Sequence, residues 1–507
     1  MDAMAAALWD LFGKQKAKGL SAAMLQTLLK LEKAGHVDHR WFNAMGELAM
    51  QEKNHRVAAR FFRNACDEKS LPGYELNLGN ALFYAGDFHA ARKVLEAYRA
   101  RFPEDTHGLI DLANCHVRLG ELSRARELCR EGLAQKRAEA PLWNCLGEIA
   151  NLEGDTAKAW EMFDKAYATA PDYVDALFNR ANMAYRLGRA GEALDDFAMC
   201  LRKDENFEAA LLNMAVIRLE RGETAEGRRV IERLLRLNPR HAEARHLLGR
   251  FHLAEREFRA AREAFQEALK HEENHIPTLL ALARLHLQES EPAQASILAK
   301  RILLREGLAE EENLACLSIL MEAGEVAFCM ERLRARPDAS LSDGARKLLV
   351  LGSWKLGRTK EAIAQLETLL VREGETAGNL ALLGRMLLQS GAKDLAEARL
   401  SKALKLEPGS RAAGFDLAHL LLEEGEGEKA LQVLRNLLEA LPDDPDCLYN
   451  MACCHGRRGD FDDCLHYLKR ALEHGFHDLD KIQADNDLQG IRKSREYSRL
   501  AEHAGLI

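Results

Sequence analysis

The chain has 507 residues, with 71 lysines and arginines against 79 aspartates and glutamates, and a formal net charge of −8. This acidic balance argues against a general nucleic-acid-binding protein, which is usually basic. No window approaches the roughly 18 apolar residues that a membrane-spanning helix needs. Residues 1–7 lack the cationic start of a secretory signal, and none of the eleven cysteines forms a C-x-x-C pair. We therefore expect a cytoplasmic protein with reduced thiols.

The first segment, residues 1–38, precedes any regular pattern. Ser21 is a candidate cap for a helix that runs to about Ala34, where Gly35 would end it. We expect this segment to cover the apolar end of the remaining chain. Residues 5–12 leave two alternatives open, because three lysines come after this apolar stretch. They either fold onto the rest of the chain or dock on a partner or a membrane surface.

A small residue then recurs with a period of 34 residues. The step shortens to 33 residues between Ala58 and Ala91 and again between Cys329 and Ala362. A second small position lies twelve residues before most members of the series. The series is Ala58, Ala91, Ala125, Ala159, Ala193, Gly227, Ala261, Ala295, Cys329, Ala362, Ala396, Ala430 and Cys464. A fixed period of this length indicates a solenoid of stacked units, and small residues suit the close crossing of two helices.

One unit carries the pattern most completely, in Trp143, Leu146, Gly147, Ala150, Gly154, Ala159, Phe163, Ala166 and Pro171. These residues and spacings resemble the tetratricopeptide repeat (TPR), although Ala150 stands where that family has tyrosine. The resemblance covers residues 39–476. It implies an all-α, right-handed superhelical solenoid of about thirteen helix hairpins with capping helices at both ends. It also implies a role in protein–protein interaction.

The array is predicted to change character in its middle. Leu317 and Val350 stand where other units have glycine or alanine, and the shortened step lies nearby. We therefore predict altered packing or a hinge near residues 305–345. The predicted organisation is a cap at 1–38, repeats one to eight with a polar concave groove at 39–304, and a degenerate repeat at 305–337. Repeats ten to thirteen then occupy 338–476, and a C-terminal cap occupies 477–507.

Asparagine recurs on the first helix of the early units, at positions that the resemblance places in the concave groove. An amide offers donors and an acceptor, so a series of amides could bind the main chain of an extended peptide. The alternative is that these residues solvate the groove or bond between neighbouring repeats. The predicted peptide-binding residues are Asn77, Asn80, Asp111, Asn114, Asn179, Asn182 and Asn213, with Tyr84, Arg118, Tyr185 and Arg186 adding contacts.

A basic patch occurs on two later first helices and consists of Arg245, His246, Arg250 and Arg284. It could bind an acidic segment or a phosphate group, or it could be a solvated face balanced by nearby glutamates. The carboxylate clamp of chaperone-binding TPR proteins is not expected. Phe178 stands where that clamp needs its first lysine, and Glu243 and Leu247 replace later cations. We therefore predict no binding of a chaperone C-terminal tail.

Two sequence patterns suggest metal binding, but the repeat explains both. Residues 271–275 match H-E-x-x-H, yet the repeat places them in a turn between units rather than on one helix. The cluster Cys447, Cys453, Cys454, His455, Cys464 and His466 lacks the paired spacing of structural zinc sites and includes packing positions. We expect no metal, no cofactor and no catalytic residue.

These features favour a non-catalytic scaffold that binds partner proteins, or an extended peptide segment, in its concave groove. Two alternatives stay open. One is a peptide-sensing regulator, and the other is a regulatory subunit that docks onto an enzyme of envelope or polysaccharide assembly.

Overall fold

The computed structural model describes residues 3–135, 139–337 and 341–504. Within these ranges the chain forms thirty α-helices and no strand, which confirms the all-α prediction. Residue 338, where the last block of repeats is predicted to begin, lies outside the described residues. None of the helices in the described ranges combines the length and the apolar character needed to cross a bilayer.

The helices are arranged in succession as hairpins joined by short turns. Two helices, α1 (Ala3–Ala17) and α2 (Ser21–Lys33), come first. The first helices of the next hairpins are α3 (His39–Gln51), α5 (Pro72–Tyr84), α7 (Thr106–Arg118), α9 (Glu139–Leu152), α11 (Val174–Arg186), α13 (Glu208–Glu220), α15 (Ala242–Ala254), α17 (Ile276–Gln288), α19 (Glu310–Glu322), α21 (Asp343–Lys355), α23 (Ala377–Gln389), α25 (Arg411–Glu423) and α27 (Pro445–Arg458).

Their second helices are α4 (His55–Glu68), α6 (Phe88–Arg101), α8 (Leu122–Ala134), α10 (Thr156–Thr169), α12 (Ala190–Lys203), α14 (Thr224–Leu237), α16 (Phe258–His271), α18 (Pro292–Leu303), α20 (Val326–Arg334), α22 (Thr359–Glu373), α24 (Lys393–Leu406), α26 (Gly427–Ala440) and α28 (Phe461–Glu473). The described residues thus contain thirteen such hairpins between residues 39 and 473. Two further helices, α29 (Leu479–Ala484) and α30 (Arg495–Ala504), come last.

The small residues of the 34-residue series lie on the second helices and are all buried. In the hairpin α9–α10, a Cβ atom added to Gly147 would lie 2.6 Å from the ring of Phe163. The turn is made by Gly154 at φ +82°, and Asp155 then caps α10 by accepting from the backbone N–H of Lys158 at 3.0 Å. Close approach and turn geometry therefore account for the periodic residues.

Contacts divide the chain into two compact units, residues 1–271 and 272–507. The first unit contains α1–α16 and begins with an apolar cluster in which Ala5 and Phe12 pack with residues of α2 and α3. Trp41 joins that cluster and donates from its indole N–H to the Leu28 carbonyl at 2.9 Å. Residues 5–12 thus pack against the hairpins. The Ser21 cap is not formed: Ser21 is the first helical residue and donates to Gln51 at 2.8 Å.

The second unit contains α17–α30. Its irregular hairpin pairs α19 with the nine-residue α20, and Leu317 is buried on α19. Val350 is buried on α21, in the next hairpin. The Cys329 thiol lies 3.4 Å from the Leu317 carbonyl oxygen, to which it donates. The hinge near residues 305–345 stays a prediction. At the C-terminal end, Ile482 and Leu488 pack with residues of α27 and α28 in one apolar cluster.

Candidate peptide-binding site

The asparagines of the first unit form hydrogen bonds between neighbouring first helices. Asn77 on α5 donates to Asn43 on α3 at 3.1 Å. Asn179 on α11 likewise donates to Asn144 on α9 at 3.0 Å, and Asn144 donates to Glu148 at 2.9 Å. Two of the predicted residues therefore lie within side-chain networks that cross from one repeat to the next.

Asn43 and Asn144 were not predicted as site residues. Each lies three positions before a first-helix glycine, Gly46 or Gly147. This shared repeat position could have identified both asparagines from the sequence, because each lies three residues before a glycine at a close helix crossing.

A second kind of bridge joins the residue after one first-helix small position to a residue 31 positions later on the next first helix. Asn80 and Asp111 form such a bridge, with the amide hydrogen-bonded to the carboxylate. Burial raises the pKa of Asp111 to about 6, against the opposing effect of that hydrogen bond. Asn182 and Asn213 form the equivalent bridge, with Nδ2 of Asn213 donating to Oδ1 of Asn182 at 2.7 Å.

The Asn182–Asn213 bridge lies at a pocket of about 330 Å³. The pocket is lined by Asn182, Tyr185, Arg186, Phe197, Asn213 and Val216. The Tyr185 hydroxyl is oriented by donating to Glu220. The Arg186 guanidinium is likewise oriented by donating to Asn151. Four predicted site residues thus line one concave pocket.

The other predicted contacts lie apart from this pocket. Tyr84 is exposed, with its ring 5.5 Å from that of His55. Arg118 is exposed on α7, and its guanidinium lies 4.8 Å from the ring of Phe88. Asn114 is half-buried on the same helix. These residues remain predicted contacts.

The predicted basic patch is only partly a surface. His246 is buried, with its ring 5.6 Å from that of Phe265, because it takes an interior position of α15. Arg245 donates to the Pro239 carbonyl at 2.7 Å, whereas Arg250 is exposed. Arg284 belongs to the second unit.

The two patterns that suggested metal binding lie where the repeat placed them. The H-E-x-x-H string lies in the turn between α16, which ends at His271, and α17, which begins at Ile276. In the cysteine-rich hairpin, Cys453 donates to Asp485 at 3.4 Å. His455 is buried and stacks on Tyr467 with ring centroids 5.4 Å apart.

A different group, His252, Glu255 and Glu257, brings three potential ligand atoms close together. The guanidinium of Arg228 lies 2.8 Å from Glu255 and 3.3 Å from Glu257. The His252 ring bonds Glu257 at 2.5 Å, and this hydrogen bond lowers the pKa of Glu257. The two carboxylates are thus held by Arg228 and His252 within the first unit.

Successive helix hairpins, with side-chain bridges between neighbouring first helices, define a helical repeat protein. Models described as tetratricopeptide repeat match residues 76–141, 153–206 and 212–275, and residues 387–449 and 421–484. Together they cover more than half of the chain. The chain belongs to the tetratricopeptide repeat family.

Individual proteins that are similar in sequence match only part of their own length. Protein FlbA of Caulobacter vibrioides is 31% identical over 154 residues, which are 30% of this chain and 26% of that protein. Cellulose synthase operon protein C of Xanthomonas axonopodis pv. citri is 25% identical over 363 residues, 67% of this chain and 23% of that protein. The chain thus spans about a quarter of the length of these relatives.

Among solved structures, a tetratricopeptide repeat protein from Parabacteroides merdae is 18% identical, with a TM-score of 0.40. The match covers 50% of this chain and 98% of that one.

Proposed function

We propose that this chain is a non-catalytic scaffold whose first unit binds an extended segment of a partner protein in the groove formed by its first helices. The observation that carries the proposal is the pocket at which Asn182 and Asn213 meet Tyr185 and Arg186. Such a pocket is large enough for one or two side chains of a peptide, while the amides face its main chain.

The direction of the Asn182–Asn213 hydrogen bond supports this assignment. Nδ2 of Asn213 donates to Oδ1 of Asn182, so the amide nitrogen of Asn182 keeps its own donors and Oδ1 of Asn213 stays available as an acceptor. A peptide unit offers one acceptor and one donor. The bridge is therefore complementary to a main chain of any sequence, and Tyr185 and Arg186 would add specificity.

The decisive experiment compares partner capture by the wild type and the double variant Asn182→Ala/Asn213→Ala from the native cell extract, with quantitative mass spectrometry. The matched control is Asn64→Ala/Asn436→Ala, because both asparagines are exposed on second helices. We expect one partner to be lost from the groove variant and retained by the control. A peptide from that partner should then bind the variant about ten to a hundred times more weakly.

Unchanged capture by a folded Asn182→Ala/Asn213→Ala variant would contradict the proposal. Folding is checked by circular dichroism and by the midpoint of thermal unfolding. Backbone recognition also predicts that replacing peptide side chains outside the pocket leaves the affinity nearly unchanged, whereas N-methylation of the peptide backbone lowers it.

The captured partner and its peptide also distinguish the two alternative functions, a peptide-sensing regulator and a regulatory subunit of an enzyme. A change in scattering radius on binding the captured peptide favours a peptide-sensing regulator. Co-purification of an enzyme favours a regulatory subunit, and the similarity to a cellulose synthase operon protein makes polysaccharide assembly the first class to examine. We place this work in the cytoplasm, because all eleven cysteines are free and ten are buried.

A further inference from the structure

A strongly cationic surface lies on α4, the second helix of the first hairpin. Arg56, Arg60 and Arg63 occur at i, i+4 and i+7 of this helix, so they share one face. All three are exposed. We name this surface the arginine face.

The arginine face is not neutralised by the protein itself. In the described part of the chain, no carboxylate forms an ion pair with Arg56, Arg60 or Arg63. On two other second helices, one of these repeat positions carries a carboxylate that is paired within its own helix. Glu127 takes the position of Arg60 and pairs with Arg124 at 2.7 Å. Glu232 takes the position of Arg63 and pairs with Arg228 at 3.3 Å.

A groove of about 470 Å³ runs beside the three arginines. Its apolar lining comes from Ala59, Leu82 and Ala85, and Asp87 also lines it. The Asp87 carboxylate accepts from the backbone N–H of Ala90 at 3.1 Å and so caps α6. The groove therefore combines three unpaired cations with a small apolar patch contributed by nearly buried side chains.

We propose that the arginine face binds an acidic segment of a partner protein, in which carboxylates flank at least one apolar side chain. Guanidinium groups bind carboxylates through paired, charge-assisted hydrogen bonds. The small apolar patch of Ala59 and Leu82 favours a protein segment over a polynucleotide, because a protein segment can carry an aliphatic side chain between its charges. The chain's own net charge of −8 also opposes a polyanion that extends beyond these three residues.

The spacing of the arginines agrees with this occupant. At 1.5 Å per residue, Arg56 and Arg63 are separated by about 10 Å along the helix axis. In an extended peptide, alternate side chains on one face recur every 7 Å or so, at about 3.3 Å per residue. Two carboxylates of such a peptide can therefore reach adjacent arginines while a third side chain enters the groove.

The test measures binding of a short fluorescent peptide of glutamate, aspartate and leucine to the full chain by fluorescence anisotropy. The variant is Arg60→Gln/Arg63→Gln. Its matched control is Arg130→Gln/Arg229→Gln, which removes exposed arginines from the same two repeat positions on α8 and α14. We expect about a tenfold loss of affinity for the variant, none for the control, and weaker binding as salt rises.

The comparison ligands are the same peptide with glutamine and asparagine, a single-stranded oligonucleotide and vesicles containing phosphatidylglycerol. The proposal predicts that all three bind more weakly than the acidic peptide. It is overturned if the wild type does not bind the acidic peptide, if variant and control bind it equally, or if the oligonucleotide or the vesicles bind more tightly. Because these variants leave α11 and α13 unchanged, the result is independent of the groove proposal.

Discussion

The two units are built from the same hairpin but bridge their neighbouring first helices with different chemistry. In the first unit, Asn182 and Asn213 form an amide bridge with a distance of 2.7 Å. In the second unit, the equivalent positions are Arg385 and Asp416, which form an ion pair at 2.8 Å. The amide bridge leaves a donor and an acceptor for a ligand, whereas each charge of the ion pair is occupied by the other.

This contrast separates the residues that specify the fold from those that specify recognition. Both units bury the same small residue on the second helix, as Ala159 and Ala396 show with no exposed surface. The periodic positions therefore obey one packing rule throughout. The bridge positions, in contrast, vary between repeats, as the amide pair and the ion pair show.

The largest expected effect concerns charge burial in the two units. Arg180 donates to Asp164 at 2.6 Å and to both carboxylate oxygens of Asp196 at 2.7 and 2.9 Å. Since Asp196 is buried, Arg180→Met leaves an uncompensated charge and should lower the free energy of unfolding by about 3 kcal/mol. The Arg385 side chain is 43% exposed, so the same substitution there should cost less than about 1 kcal/mol. Hydrogen exchange of the backbone amides in α11 and α23 measures the two losses of stability locally.

Equal losses for Arg180→Met and Arg385→Met would show that burial does not distinguish the two units. The variant Arg180→Met/Asp196→Leu provides the control, because it removes both charges and should recover much of the stability lost by Arg180→Met alone.

The next largest effect on stability is expected at the close helix crossings, where the same substitution should cost a similar amount in both units. A Cβ atom added to Gly147 would lie 2.6 Å from the Phe163 ring, and one added to Gly384 would lie 2.6 Å from Leu400. We expect Gly147→Ala and Gly384→Ala each to destabilise by roughly 1–3 kcal/mol through overpacking, measured by the guanidinium dependence of helicity.

For the glycine pair, the control is Gly191→Ala, since no atom lies within 4 Å of a Cβ added there. A stabilising effect of Gly147→Ala comparable to that of Gly191→Ala would contradict the close-packing account of the periodic residues.

The hairpins were predictable because one physical requirement repeats along the sequence. A small residue, a turn glycine and an apolar face recur at fixed spacing, and each acts within a single hairpin. The sequence therefore predicted a close helix crossing at Ala159, which is buried. The Ser21 cap was wrong because the Ser21 hydroxyl bonds Gln51 on another helix, a contact that local capping rules do not include.

The side-chain bridges between hairpins were harder to predict from the sequence, because they depend on the rotation of one hairpin relative to the next. The 34-residue period does not determine that rotation. The hydrogen bond between Asn43 and Asn77 was therefore not predicted. The arginine face was missed for a related reason. Arg92 pairs with Glu121 of the following hairpin at 2.6 Å, whereas Arg60 pairs with none in the described chain. Which cations are neutralised is decided by the neighbouring hairpin and not by the helix sequence alone.

An effect of similar size, but with a definite pH dependence, is expected at the Asn80–Asp111 bridge. Burial raises the pKa of Asp111 from 3.8 to about 6. The folded state then binds a proton more tightly than the unfolded state, so this residue's contribution to stability falls as the pH rises from about 4 to 6. Asp111→Asn should therefore stabilise the chain by about 1–3 kcal/mol at pH 7 and have little effect at pH 4.

The measurement for Asp111→Asn is hydrogen exchange of α7 at neutral pH, combined with thermal unfolding midpoints across this pH range. Asp416→Asn is the control on the second unit, where removal of a carboxylate paired with Arg385 should not stabilise. Destabilisation by Asp111→Asn at pH 7, or a gain that persists unchanged at pH 4, would contradict the raised pKa.

The smallest expected effect comes from converting one bridge into the other. Arg385→Asn/Asp416→Asn places two amides at the positions that Asn182 and Asn213 occupy in the first unit. Since the ion pair is partly exposed, the free energy of unfolding should change by less than about 1 kcal/mol, and its salt dependence should decrease. Thermal unfolding in low and high salt measures both. A large loss would mean that the ion pair is required for stacking in the second unit. A small one would show that either bridge suits the hairpin, so that stability alone does not fix the chemistry of the bridge.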